Sequence, residues 1–150
     1  MKKIFALVLV AMICATGFGK TIDEVFNAFP HADNVQVMTL DKAMLNMAGG
    51  NNERAERIRD IDSMRIIAIE NATDEQKKIA SDLMNDGVDG FDVMVDANEN
   101  DEHALIFTQG NDKVINKMLI IASEKNEVAV VLIEGKINPD NASQMINTFK

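Results

Sequence analysis

Residues 129–133, Ala-Val-Val-Leu-Ile, are apolar at every position, and no other feature of the chain limits its fold so strongly. Successive side chains of a strand point to opposite faces, so this run has two apolar faces and belongs at the centre of a sheet. Its neighbours agree. Segments 114–122 and 127–134 meet across Lys125 and Asn126, segment 104–108 precedes them, and Phe91, Val93 and Val95 alternate with Asp92, Met94 and Asp96. Four strands in succession with short connections predict an antiparallel meander.

The first half of the chain supplies helices. Thr21 caps a helix with Glu24 as its capping-box partner, Ile22, Val25, Phe26 and Phe29 follow at helical spacing, and Pro30 ends it. Val35, Val37 and Thr39 then alternate with Gln36, Met38 and Leu40, a strand whose valine face is the apolar one. Asp41 starts a second helix with apolar positions Ala43, Met44, Met47 and Ala48, stopped by Gly49, Gly50, Asn51 and Asn52. Residues 53–60 read as a charged surface helix and 64–70 as a second strand. Thr73, Asp74, Glu75 and Gln76 form a capping box ahead of the stripe Ile79, Ala80, Leu83 and Met84, and Gly87 stops that helix. A last helix opens at Asn138 and Pro139 and is lined by Ala142, Met145, Ile146 and Phe149. The expected fold class is α+β, a single mostly antiparallel sheet of about six strands with helices packed on one face. Which strands lie beside the first one is not set by local pattern.

The N-terminus has the pattern of an export signal. Lys2 and Lys3 form a basic start, residues 4–15 an apolar stretch, and Gly17 and Gly19 the small residues that a signal peptidase requires. The expected division is therefore 1–19 signal peptide and 20–150 a single domain. About twelve apolar residues are too few to cross a hydrocarbon layer of about 30 Å as a helix, which argues against membrane anchoring. Ile13 stands where a lipoprotein peptidase needs Gly, Ala or Ser before Cys14, which argues against lipidation. The expected location is periplasmic or secreted. Cleavage removes the sole cysteine and two cations, taking the formal charge from −9 to −11. Disulfides and thiolate chemistry are thereby excluded, and nucleic acid and anionic lipid become poor partners. With no Trp or Tyr, the chain also lacks the usual aromatic platforms for sugars and bases.

Several clusters invite a functional reading. Asp96, Asn98 and Asn100 alternate like calcium ligands, but Asp101 replaces the glycine of the sharp turn and Phe107 the bidentate glutamate, so a charged hairpin turn is the better account. Arg54, Arg57, Arg59 and Arg65 follow a glycine loop, yet Glu53, Glu56, Asp60 and Asp62 interleave with them and neutralise the group. His31 and His103 lack any motif, although Ser63, Ser81, Ser123 and Ser143 leave a triad assembled only in three dimensions open. Asn71-Ala72-Thr73 and Asn141-Ala142-Ser143 match the N-glycan acceptor pattern, and Asp62-Ser63-Met64 resembles an O-glycan acceptor. Thr73 and Asn141 are better explained as parts of helix starts. No catalytic, cofactor-binding or metal residue is assigned, and no cofactor is implied.

The leader, DEVFNAF, VQVMTLDKAMLNMAGG, the strand MRIIAIE and the stretch INKMLIIASEKNEVAVVLIEGKINPDNASQMI together resemble the family called domain of unknown function 4252. That resemblance implies a small exported envelope protein of Bacteroides-like bacteria, without established catalytic residues. Gly135, at the end of the central strand, is expected to take positive φ in the turn toward the last helix. The expected function is a non-enzymatic binding or protein-interaction module with an unknown envelope protein as partner. The alternatives are a hydrolase whose site forms only in the fold and an acidic calcium-binding protein.

Overall fold

The computed structural model describes residues 19–50, 56 and 58–142. Its elements are α1 (Ile22–Asn27), β1 (Val35–Leu40), α2 (Lys42–Gly49), β2 (Ile61–Glu70), α3 (Asp74–Asp86), β3 (Asp92–Glu99), β4 (Glu102–Gly110), β5 (Ile115–Ser123) and β6 (Glu127–Ile137). The helix starts follow the side chains expected to cap them. Thr21 accepts from the Glu24 N–H, Asp41 from the Met44 N–H, and Thr73 and Gln76 form a reciprocal capping box. Each satisfies N–H groups that a first helical turn leaves without partners.

One sheet of six strands, ordered β1-β2-β6-β5-β4-β3, is antiparallel throughout. Strands β3 to β6 form the expected meander, with β6 interior between β2 and β5. The β1–β2 pair joins on its far side, so α3 must carry the chain across the sheet from β2 to the opposite edge at β3. In doing so it packs over β5 and β6.

Alternation divides the core into two layers. On one face Val25, Phe26 and Phe29, with Ala80, Leu83 and Met84 of α3, bury Ile67, Ile69, Leu105, Phe107, Leu119, Ile121, Val128, Val130 and Leu132. On the other, Leu45 of α2 and Ala142 bury Ile61, Ile106, Ile115, Met118, Ile133 and Ile137. The α+β class and the single antiparallel sheet match the sequence reading. The helices divide between the faces, with α1 and α3 on one and α2 on the other. Helices on one face alone would leave Ile133 and Met118, both fully buried, open to water. Beyond the reach of α2, that second face carries Ala68, Ala129, Ala122, Ala104 and Ala97 in one cross-strand row. Short side chains keep the apolar area there small, so this part of the sheet tolerates water.

Three local expectations change. The apolar phase of α2 is shifted, because Leu45 and Gly49 face the sheet while Ala43, Met44, Met47 and Ala48 are exposed. A bulge between Val93 and Val95 breaks the alternation of β3, so that Val95 packs with Ile106 on the α2 face and Val93 is exposed. Val37 is exposed rather than buried, because β1 is an edge strand and the helices on its valine face do not extend over it. The expected surface helix at 53–60 and the last helix beyond Ala142 lie largely outside the described residues.

Candidate interaction surface

The residues that suggested chemistry are dispersed by the fold. His103 on β4 meets Asp96 on β3 at 2.9 Å, while His31 is an exposed residue of the loop before β1. Ser63 on β2 donates to Glu134 on β6 at 3.2 Å, two strands away from β4. Ser81 is exposed on α3, Ser123 is half-buried at the end of β5, and Ser143 lies outside the described residues. The hydrogen bonds of His103 and Ser63 therefore lead to different partners and form no relay. Among the described residues every buried polar side-chain atom has a partner, and no group of three His, Cys, Asp or Glu is placed to hold a metal ion.

The acidic stretch forms the β3–β4 hairpin, with Glu99 opposite Glu102 and Asn100 in the left-handed region at φ 56°. Asp92, Asp96 and Glu99 keep charge along the β3 edge. Of the four arginines, Arg54 and Arg57 lie outside the described residues. Arg65 sits 4.2 Å from the centre of the Phe26 ring and 3.6 Å from Asp23, so it clamps α1 to the sheet. Of the modification triplets, Thr73 serves as the cap of α3 and Ser63 lies within β2, paired with β6.

Buried polarity concentrates at one structural joint. Asn34 donates to the Gln76 side chain at 2.8 Å and to the Glu70 carbonyl at 3.2 Å, and Gln76 donates back to Asn34 at 3.1 Å. Gln76 also accepts from the Thr73 N–H at 2.9 Å, so one amide both caps α3 and ties it to the β1–β2 pair. These groups satisfy one another, which makes the joint structural.

What stands exposed is apolar. Val37 and Met38 on β1 are 60% and 54% exposed, and Met44 and Met47 on α2 are 47% and 83% exposed. Met38 lies opposite Ile66, on the face that α2 covers. Methionine is unbranched and polarisable, so such side chains adapt to differently shaped partners. Val93 and Met94 on β3 are exposed as well, so the two edges of the sheet differ in charge and regularity rather than in exposed apolar residues. Strand β3 has three acidic residues and a bulge, devices that deter pairing, whereas β1 has six residues without a charge, a proline or a bulge. Met44 and Met47, which helical spacing assigns to the apolar face, stand exposed because the apolar residues of α2 extend around most of its circumference and permit more than one phase. Leu45 and Gly49, four residues apart, were the signal for the buried side.

A family model described as a domain of unknown function, DUF4252, matches residues 28–145. The chain belongs to the DUF4252 family. The match runs from the end of the first helical segment, across all six strands and into the stretch after β6. It therefore takes in both the guarded and the unguarded edge of this DUF4252 sheet. A search of curated proteins gave no match. Among the described residues no helix is long and apolar enough to cross a membrane.

Proposed function

We propose that this DUF4252 protein is exported, periplasmic or secreted, and acts in the cell envelope as a non-enzymatic protein-interaction module through β1 and α2. The contrast between the sheet edges carries the reading. An uncharged edge strand beside exposed methionines offers both backbone hydrogen bonds and apolar contact, the two requirements for strand addition. Export is supported by the leader residues. Cleavage there would keep Lys20, whose N–H donates to the Gly87 carbonyl at 3.3 Å and whose carbonyl accepts from Asp89 at 3.0 Å. A charge of −11 after cleavage disfavours anionic membranes and nucleic acid as partners, which is compatible with a protein partner.

Two measurements test the proposal. N-terminal sequencing of the protein from its host is expected to start at Lys20; a start at Met1 would overturn export, and a start at Cys14 would replace the soluble form with a lipid-anchored one. Photoreactive residues at Met38 and Met47 are expected to give discrete protein adducts in the living host, with none from Ser81 on α3. Absence of adducts from the first two positions, or equal yields from all three, would sink the interaction reading.

A further inference from the structure

The open edge of β1 presents a defined set of backbone hydrogen-bonding groups. By register Asn34 stands opposite Glu70, and the Glu70 N–H donates to the Asn34 carbonyl at 3.2 Å. Antiparallel pairs alternate between residues that exchange both backbone bonds and residues that exchange none. Positions 34, 36, 38 and 40 therefore aim their backbone groups at β2, and positions 35, 37 and 39 aim theirs outward. The Val35 N–H is already used locally, donating to the Ala32 carbonyl at 3.1 Å. Val37 and Thr39 are left with outward N–H and C=O groups, two residues apart and flanking Met38.

That spacing is self-complementary. A two-fold axis through Met38, perpendicular to the sheet, sets Val37 of one chain opposite Thr39 of its partner, and Thr39 opposite the partner's Val37. All four outward donors and all four outward acceptors then pair, and like faces of the two sheets adjoin. The two Met38 residues form the close, non-hydrogen-bonded pair at the axis, on the face where α2 lies. No charged residue falls within the six-residue strand, so an acidic chain meets its copy at an uncharged segment. We propose that DUF4252 chains of this sequence associate as two-fold dimers by antiparallel β1–β1 pairing, extending the sheet from six strands to twelve. This inference rests on the interaction reading above and names its partner as a second copy.

Sedimentation of the purified chain over a range of concentration and salt tests it. A monomer–dimer equilibrium is expected that tightens as salt rises, because screening within about 10 Å at 0.1 M weakens the repulsion between two acidic bodies. Val37→Pro removes only an outward N–H, a position where an edge strand accepts proline, so it should weaken dimerisation about tenfold or more with far-UV circular dichroism unchanged. Met38→Lys sets two ammonium groups across the axis and should weaken it similarly without altering the backbone. Amide exchange should slow with concentration at Val37 and Thr39 and stay constant at Met38. A chain that is monomeric up to about 1 mM at all salt concentrations would overturn the inference, as would a dimer that survives both substitutions. A monomer that still gives adducts with a different protein from Met38 would overturn the dimer while leaving the interaction reading intact; a monomer giving no adducts would overturn both.

Discussion

Gly135 shows how a single residue can be required for a reason other than the one its position suggests. Its place at the end of a central strand pointed to positive φ, but positive φ occurs at Gly50, Gly87, Gly90 and Gly110 and not there. Instead the β2 backbone passes so close, at a register shift beside Ile61, that a Cβ on Gly135 would lie 2.9 Å from the Ile61 Cα and nearer still to the Asp60 carbonyl oxygen. Both obstacles are backbone, which cannot rotate away. Gly135→Ala is therefore expected to destabilise the fold by about 1–3 kcal/mol, read as a lower denaturant midpoint with an unchanged slope. Gly87 presents the opposite case, with open space around it and φ 78°, so its need is conformational. The sequence marked both glycines as fold chemistry, but only the packed neighbour separates a steric requirement from a torsional one. Asn34 and Gln76 illustrate the same limit: the capping box was legible from Thr73 to Gln76, while the bond from Gln76 to a residue forty-two positions away was not.

At the scale of elements, caps and breakers proved more informative than apolar stripes. Thr21, Asp41, Thr73 and Gly87 mark helix ends through interactions within a few residues, and the structure keeps all four. The phase of α2 depended on which side met the sheet, and its composition of Ala, Met, Leu and Gly supports more than one choice. Leu45→Ala should thus cost about 2–3 kcal/mol, since Leu45 is 3% exposed in the core, whereas Met47→Ala should change stability by less than about 0.5 kcal/mol. Paired thermal or denaturant melts check this, and equal losses would mean that α2 packs through its methionines. Strand β3 teaches a related lesson. Alternation from Phe91 to Val95 was clear, yet one bulge reversed its phase, because an extra residue shifts every later side chain to the other face.

Across the whole molecule, stability should be graded from the middle of the sheet outward. Strands β5 and β6 are paired on both sides and bury residues on both faces, whereas β1 and β3 each have one open edge. Native-state hydrogen exchange is expected to give its slowest amides at residues such as Leu119, Ile121, Val130 and Leu132, approaching the global unfolding free energy. Amides of β3 should exchange faster through local opening, and those of β1 at low protein concentration likewise. Uniform protection across all six strands would contradict this order. By itself the sequence determined a central strand from the apolar run 129–133, an antiparallel sheet from the closely spaced strands around it, and the α+β class from the capped helical segments, because alternation and capping act over a few residues. Only the tertiary structure decided that α2 packs on the second face, that β1 and β3 form the edges and that Val37, Met38, Met44 and Met47 stay exposed. Those outcomes depend on which distant segments share an apolar surface, and burial between segments far apart in the chain leaves no periodic mark in either one.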